Sequence, residues 1–213
     1  MREIGGEAMR RRIWALGVVV LLVLVGACSS GGHRPDPSTS SSVAAPTTST
    51  APVAPNPYVV PPVITPAYVD AVFKVLNHIN GNAVRALVAS GAMTPEVYSE
   101  LQAIYSDPLY PVEVRVFEAG LTESRSNLKP TLGDRQTTVL KVLAETPTCI
   151  GVSTRTSLQE VEIHPTAVAA AEYWSLRRKT NIDDPARLNP TPWVLNFNQD
   201  FQVPTPPPTL CSA

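Results

Sequence analysis

Between residues 29 and 66 the chain carries nine prolines and twelve serines or threonines, and its only charges there are Arg34 and Asp36. A stretch so poor in apolar surface cannot offset the entropy of ordering, and its prolines favour extended, polyproline-like backbone. Any folded core must therefore be built from what lies downstream. Composition divides the sequence into an apolar head over residues 1–27, a Ser/Thr/Pro-rich disordered tether over 28–64, and one globular unit over 65–213 that ends in a proline-rich tail. That unit has the usual length for a single hydrophobic core, about 150 residues. At about 3.1 Å per residue in its stiffer parts, the tether would reach up to ~100 Å.

The head has its own order. Arg10, Arg11 and Arg12 precede an uncharged run from Ile13 to Ala27. Fifteen helical residues rise about 22 Å, short of a hydrocarbon core of roughly 30 Å. A signal segment with a basic start and an apolar centre fits this better than a permanent span. Val25-Gly26-Ala27-Cys28 then resembles the lipobox of bacterial lipoproteins, in which an aliphatic residue and two small ones precede a cysteine. The resemblance implies cleavage between Ala27 and Cys28, thioether linkage of the Cys28 thiol to diacylglycerol, and acylation of the new amino group. It places the protein at the cell membrane, lipid-anchored and facing the extracytoplasmic side. Glu3 and Glu7 are unusual in a basic start, and Met9 directly before the arginines offers an alternative beginning. The adjacent arginines leave both general secretion and twin-arginine export open. Tethers of this composition resemble the stalks of actinobacterial lipoproteins, which implies Thr47, Thr48, Ser49 and Thr50 as O-glycosylation acceptors; an unmodified spacer is the alternative.

From residue 28 onward the chain has 13 basic and 16 acidic side chains, a net charge of −3. Nucleic-acid binding depends on neutralising phosphates, so this balance argues against such a partner. If Cys28 carries lipid, two of the three cysteines remain. An even remainder in an oxidising compartment suggests a Cys149–Cys211 disulfide, with two free thiols as the alternative.

Within the globular unit, Thr65-Pro66 reads as an N-cap followed by proline at the first helical position. Val69, Val72, Phe73, Leu76 and Ile79 follow at helical spacing, and Gly81 is expected to end this helix. Asn82 would cap a second, short one through Val84, Leu87 and Val88 to Gly91. Thr94-Pro95 repeats the start signal for a third helix carrying Val97, Leu101, Ile104 and Tyr105, broken at Asp107-Pro108. Val112, Val114 and Val116 then alternate with Glu113, Arg115 and Phe117, which predicts a strand. Further strands are expected over 136–145, 149–156 and from Trp193 to Phe201; in 166–180 the alanine run favours a helix while Tyr173, Trp174 and Leu176 before Arg177 favour a strand in the second half, and the strand is preferred.

Helices followed by antiparallel strands predict an α+β fold, with about three helices packed on a curved sheet of four to six strands. The helix-then-meander order and the segments EYWSLRRKT and TPWVLNFNQDF resemble the last hairpin of the nuclear-transport-factor-2-like superfamily, whose sheet wraps helices into a cone. A third early helix and the loop from Thr122 to Asp134 depart from that pattern. The resemblance implies a cavity, which in enzymes of the superfamily holds a tyrosine, aspartate or histidine. Tyr68, Asp70, His78 and Tyr173 occupy such positions here, although dipole stabilisation in a first helical turn also accounts for Asp70, and core-edge packing accounts for the tyrosines.

No catalytic motif, phosphate loop or dinucleotide fingerprint is present. His33, His78 and His164 lack metal-ligand spacing, and Glu162-x-His164 reads as a solvated strand edge. The expectation is a non-enzymatic protein without cofactor or metal, binding an envelope protein or an apolar small molecule. A cavity enzyme of isomerase or hydratase type and a purely structural scaffold are the alternatives.

Overall fold

The computed structural model describes residues 54–123, 125–164, 172–199 and 210–211. The apolar head, Ala27, Cys28, the acceptors Thr47, Thr48, Ser49 and Thr50, the alanine run before Glu172 and the end of the last strand at Phe201 lie outside them. The compact unit starts at Ala54. Residues 54–64 form an irregular arm in which Ile64 is buried and Val60 packs on the core. Composition alone sets the boundary at 65, because two well-spaced apolar contacts suffice to hold a proline-rich segment that has no periodicity.

Helix α1 spans Pro66–Ser90. Thr65 caps it, its Oγ1 accepting from the Tyr68 N–H at 3.2 Å, and Gly91 closes it in the left-handed region at φ 68°. The expected break at Gly81 and second helix from Asn82 do not occur. Gly81 is inside the helix, where a Cβ would come within 2.1 Å of Asp134 Oδ1; the glycine admits a neighbouring loop and does not mark an end. Asn82 accepts from Arg85 Nη2 at 2.6 Å instead of capping.

Helix α2, Pro95–Ile104, is capped by Thr94 and ends at an extended Tyr105. Helix α3, Tyr110–Glu123, replaces the strand expected through Val112, Val114 and Val116. Tyr110, Val112, Val114 and Phe117 pack against the core while Val116 is exposed; the exposed Val116 beside an inward Phe117 breaks the alternation a strand requires and suits a helical face. Alternating valines concealed that stripe, and Pro111 sits in the first turn, where its missing N–H costs nothing. A short 3-10 turn, Arg125–Asn127, follows.

Four antiparallel strands pair in chain order: β1 Gln136–Thr146, β2 Cys149–Ser157, β3 Glu172–Arg178 and β4 Trp193–Gln199. The result is α+β, three helices packed with a four-stranded antiparallel sheet. Register sets Val139 opposite Thr154, Val152 opposite Trp174 and Leu176 opposite Leu195, so these side chains share the face turned to the helices. With Val69, Val72, Phe73, Leu76, Leu101 and Ile104 they make the core. Tyr173, Ser175 and Val194 alternate onto the opposite face and are also buried. Leu210 belongs to that side: a Cβ on Gly151 would lie 3.1 Å from Leu210 Cβ, and Cys211 is disulfide-bonded to Cys149. Both faces of the sheet are thus covered.

Candidate functional site

The apolar stripe of α1 is interrupted at two positions, Asn77 and Asn80, both buried. Burial of an amide demands partners, and the structure supplies them from distant elements. Asn77 donates to Thr137 Oγ1 at 3.0 Å and accepts from Arg135 Nε at 2.7 Å. Asn80 donates to the Tyr105 hydroxyl at 3.2 Å, which also lies 3.5 Å from Arg135 Nη2. The Arg135 guanidinium stands 5.7 Å from the Trp174 ring centroid, a cation–π distance. Trp174 Nε1 donates in turn to Glu172 Oε2 at 2.9 Å, which also accepts from Thr156 Oγ1 at 2.8 Å. Burial opposes the charge on Arg135, but Tyr105 together with the carboxylates of Glu113 and Glu172 outweighs it and holds the guanidinium protonated. The same burial pushes the Tyr105 hydroxyl well above its ordinary value. These bonds join into one polar network between helices and sheet, termed the chamber, whose members chiefly satisfy one another.

The four nominated side chains do not meet in it. Tyr68 is buried, its hydroxyl accepting from Trp193 Nε1 at 2.9 Å. Asp70 accepts from the backbone N–H of Val139 at 2.6 Å, beside a bulge in β1. His78 is exposed and pairs with Asp134 at 2.8 Å. Tyr173 is buried on the far face of the sheet. Glu162 and His164 belong to a backbone bridge: Glu162 pairs with Leu128, and the His164 N–H donates to Asn127 Oδ1 at 3.0 Å. Among the described residues no three acidic, histidine or cysteine side chains converge in a metal-binding group.

Outside the chamber, α1 and the arm enclose a groove of about 620 Å³ lined by Pro57, Tyr58, Val75, Ile79, Leu188 and Pro190, with Lys74, His78 and Glu100 at its polar positions. Its size and mixed lining are those of small-molecule sites. An adjoining groove of about 700 Å³ shares Asn82 and Glu100 and adds Arg85 and Glu96. Asp134 engages two of these side chains, accepting from Arg85 Nη1 at 2.9 Å and lying 2.8 Å from His78 Nδ1. Burial, then the neighbouring Glu96, pushes the Glu100 carboxyl up. Lys74 has no ion-pair partner among the described residues.

Leu188 and Pro190 reach the groove from the β3–β4 loop, which is tied together by a dense set of side-chain bonds. Arg177 grips Asp183 through both nitrogens, at 3.0 and 2.9 Å, and Lys179 bonds both Asp184 and the Asn189 carbonyl. Asp184 and Arg187 adopt left-handed backbone, which Asp184 secures by accepting from the N–H groups of Leu188 and Asn189. Burial opposes ionisation of Asp183, yet its bonds from Arg177 and from the Thr180 N–H and hydroxyl win and hold its carboxyl below the ordinary 3.8. A depressed carboxyl stabilises the fold above that ordinary value, and the contribution is lost as pH falls through the folded-state one. Asp183→Asn is expected to lower the melting temperature at neutral pH, with the gap to the parent narrowing below pH 3.8; thermal unfolding across an acid series checks it.

No family model matches the chain, and neither a curated protein nor a solved structure matches it.

Proposed function

We propose that this is a lipid-anchored envelope protein, non-enzymatic, whose domain faces the extracytoplasmic side of the cell membrane and binds an apolar ligand or partner through the groove beside the arm. The observation that carries the reading is the division among the three cysteines. Cys149 and Cys211 are bonded to each other, a state that persists in oxidising compartments. Cys28 is left over, behind Gly26-Ala27 and an apolar run. The long α1 packed on a four-stranded antiparallel meander supports assigning the domain to the architecture that the nuclear-transport-factor-2-like resemblance implies. A binding role in preference to catalysis is supported by the separation of Tyr68, Asp70, His78 and Tyr173 and by the mutual pairing within the chamber.

Cys28→Ser is the test of the anchor. The parent, extracted from membranes and weighed intact, should begin at Cys28 and carry acyl mass. The variant should lack that mass, and most of it should leave the membrane fraction. A parent without acyl groups, or a variant processed and retained exactly like the parent, would sink the reading.

A further inference from the structure

The arm presents apolar side chains to solvent in a place where the fold has no need of them. Tyr58, Val59 and Val63 are 54, 62 and 68% exposed within six residues, while Val60 and Ile64 of the same segment face the core. Tyr58 shares the groove wall with Leu188, itself 39% exposed and held by its N–H bond to Asp184 in the β3–β4 loop. Lys74 and His78, one helical turn apart on α1, stand at the rim of the same groove. An amphipathic ring, aliphatic residues and a lysine together are the composition of a membrane-interface contact.

We propose that this arm-and-loop rim rests on the surface of the bilayer to which the protein is anchored, with the groove mouth at the lipid boundary. The inference rests on the anchor reading and commits to lipid as the occupant because of where the chain enters. The arm is the first segment of the compact unit after Cys28. Twenty-six residue steps cannot exceed about 90 Å at 3.3–3.6 Å each. Confinement within that radius of the membrane corresponds to an effective concentration of about a millimolar. Each of the three side chains, on entering the interface, is worth about tenfold in partition. A contact with half-binding only near about a millimolar lipid is therefore sufficient for an anchored protein, and the bilayer becomes the source of apolar ligand for the groove.

The test uses the chain from residue 28 onward made without acyl groups, since the whole described core lies within residues 54–211. It is titrated with vesicles of phosphatidylethanolamine and phosphatidylglycerol and read by co-sedimentation. Half-binding is expected near about a millimolar accessible lipid, and the triple variant Tyr58→Ser, Val59→Ser, Val63→Ser should bind about a thousandfold more weakly. Its melting temperature should equal the parent's, because these side chains are exposed. Absence of binding by the parent, or equal binding by the variant, overturns the proposal. So does a photocrosslinker at Asn56 that, in native envelopes, captures protein and never lipid. Intact mass of the membrane-extracted protein reports separately on the anchor, so the two readings fail independently.

Discussion

Replacing Cys149 and Cys211 together by alanine lowers the unfolding free energy by about 4 kcal/mol, the chain-entropy value for a closed loop of this length. The bridge spans 62 residues and encloses β2, β3, β4 and the β3–β4 loop. Its loss also frees the segment that brings Leu210 over Gly151, so the face carrying Tyr173, Ser175 and Val194 gains access to water. Equilibrium urea unfolding measures the change. Dithiothreitol added to the parent should reproduce it, and an unaltered midpoint in both would show that the strap adds nothing to the sheet.

Arg135→Met is expected to cost about 2–3 kcal/mol. Breaking a fully buried ion pair costs 3–5 kcal/mol; the value is discounted because Arg135 is half-buried and partly screened. The substitution preserves apolar volume above Trp174 while removing the donor to Asn77 and the positive charge facing Glu113 and Glu172. The distinction between charge and packing is measurable. A second substitution, Glu113→Gln, should recover part of the loss in the Arg135→Met background and destabilise when made alone, a coupling that a double-mutant cycle isolates. Strictly additive effects would place Arg135 outside the network.

These two features were legible to very different degrees. The disulfide followed from a count, once Cys28 was set apart. The capped starts of α1 and α2 were equally plain, since Thr65-Pro66 and Thr94-Pro95 act through local geometry. Gly81 misled because its reason is tertiary: only the approach of Asp134, 53 residues on, explains it. Val112 to Phe117 misled because β-branched residues alternated across what is physically a helical stripe. The chamber could not be read at all. Asn77 and Arg135 are 58 residues apart, and neither belongs to a motif. The one available signal was an amide at positions 77 and 80 flanking Leu76 and Ile79, since a polar residue on a buried face announces that something must come to meet it.

Asp70, nominated for a cavity, has a further consequence through the bond it makes. β1 is an outermost strand, and an open edge is a template for pairing with another chain. The Asp70 carboxylate occupies the N–H of Val139, and register shifts interrupt the strand between Val139 and Lys141 and between Val142 and Ala144. A neighbour's strand would meet a filled donor and a bent ladder. When copies of the chain meet side by side, that blunted edge works against their joining into a continuous sheet.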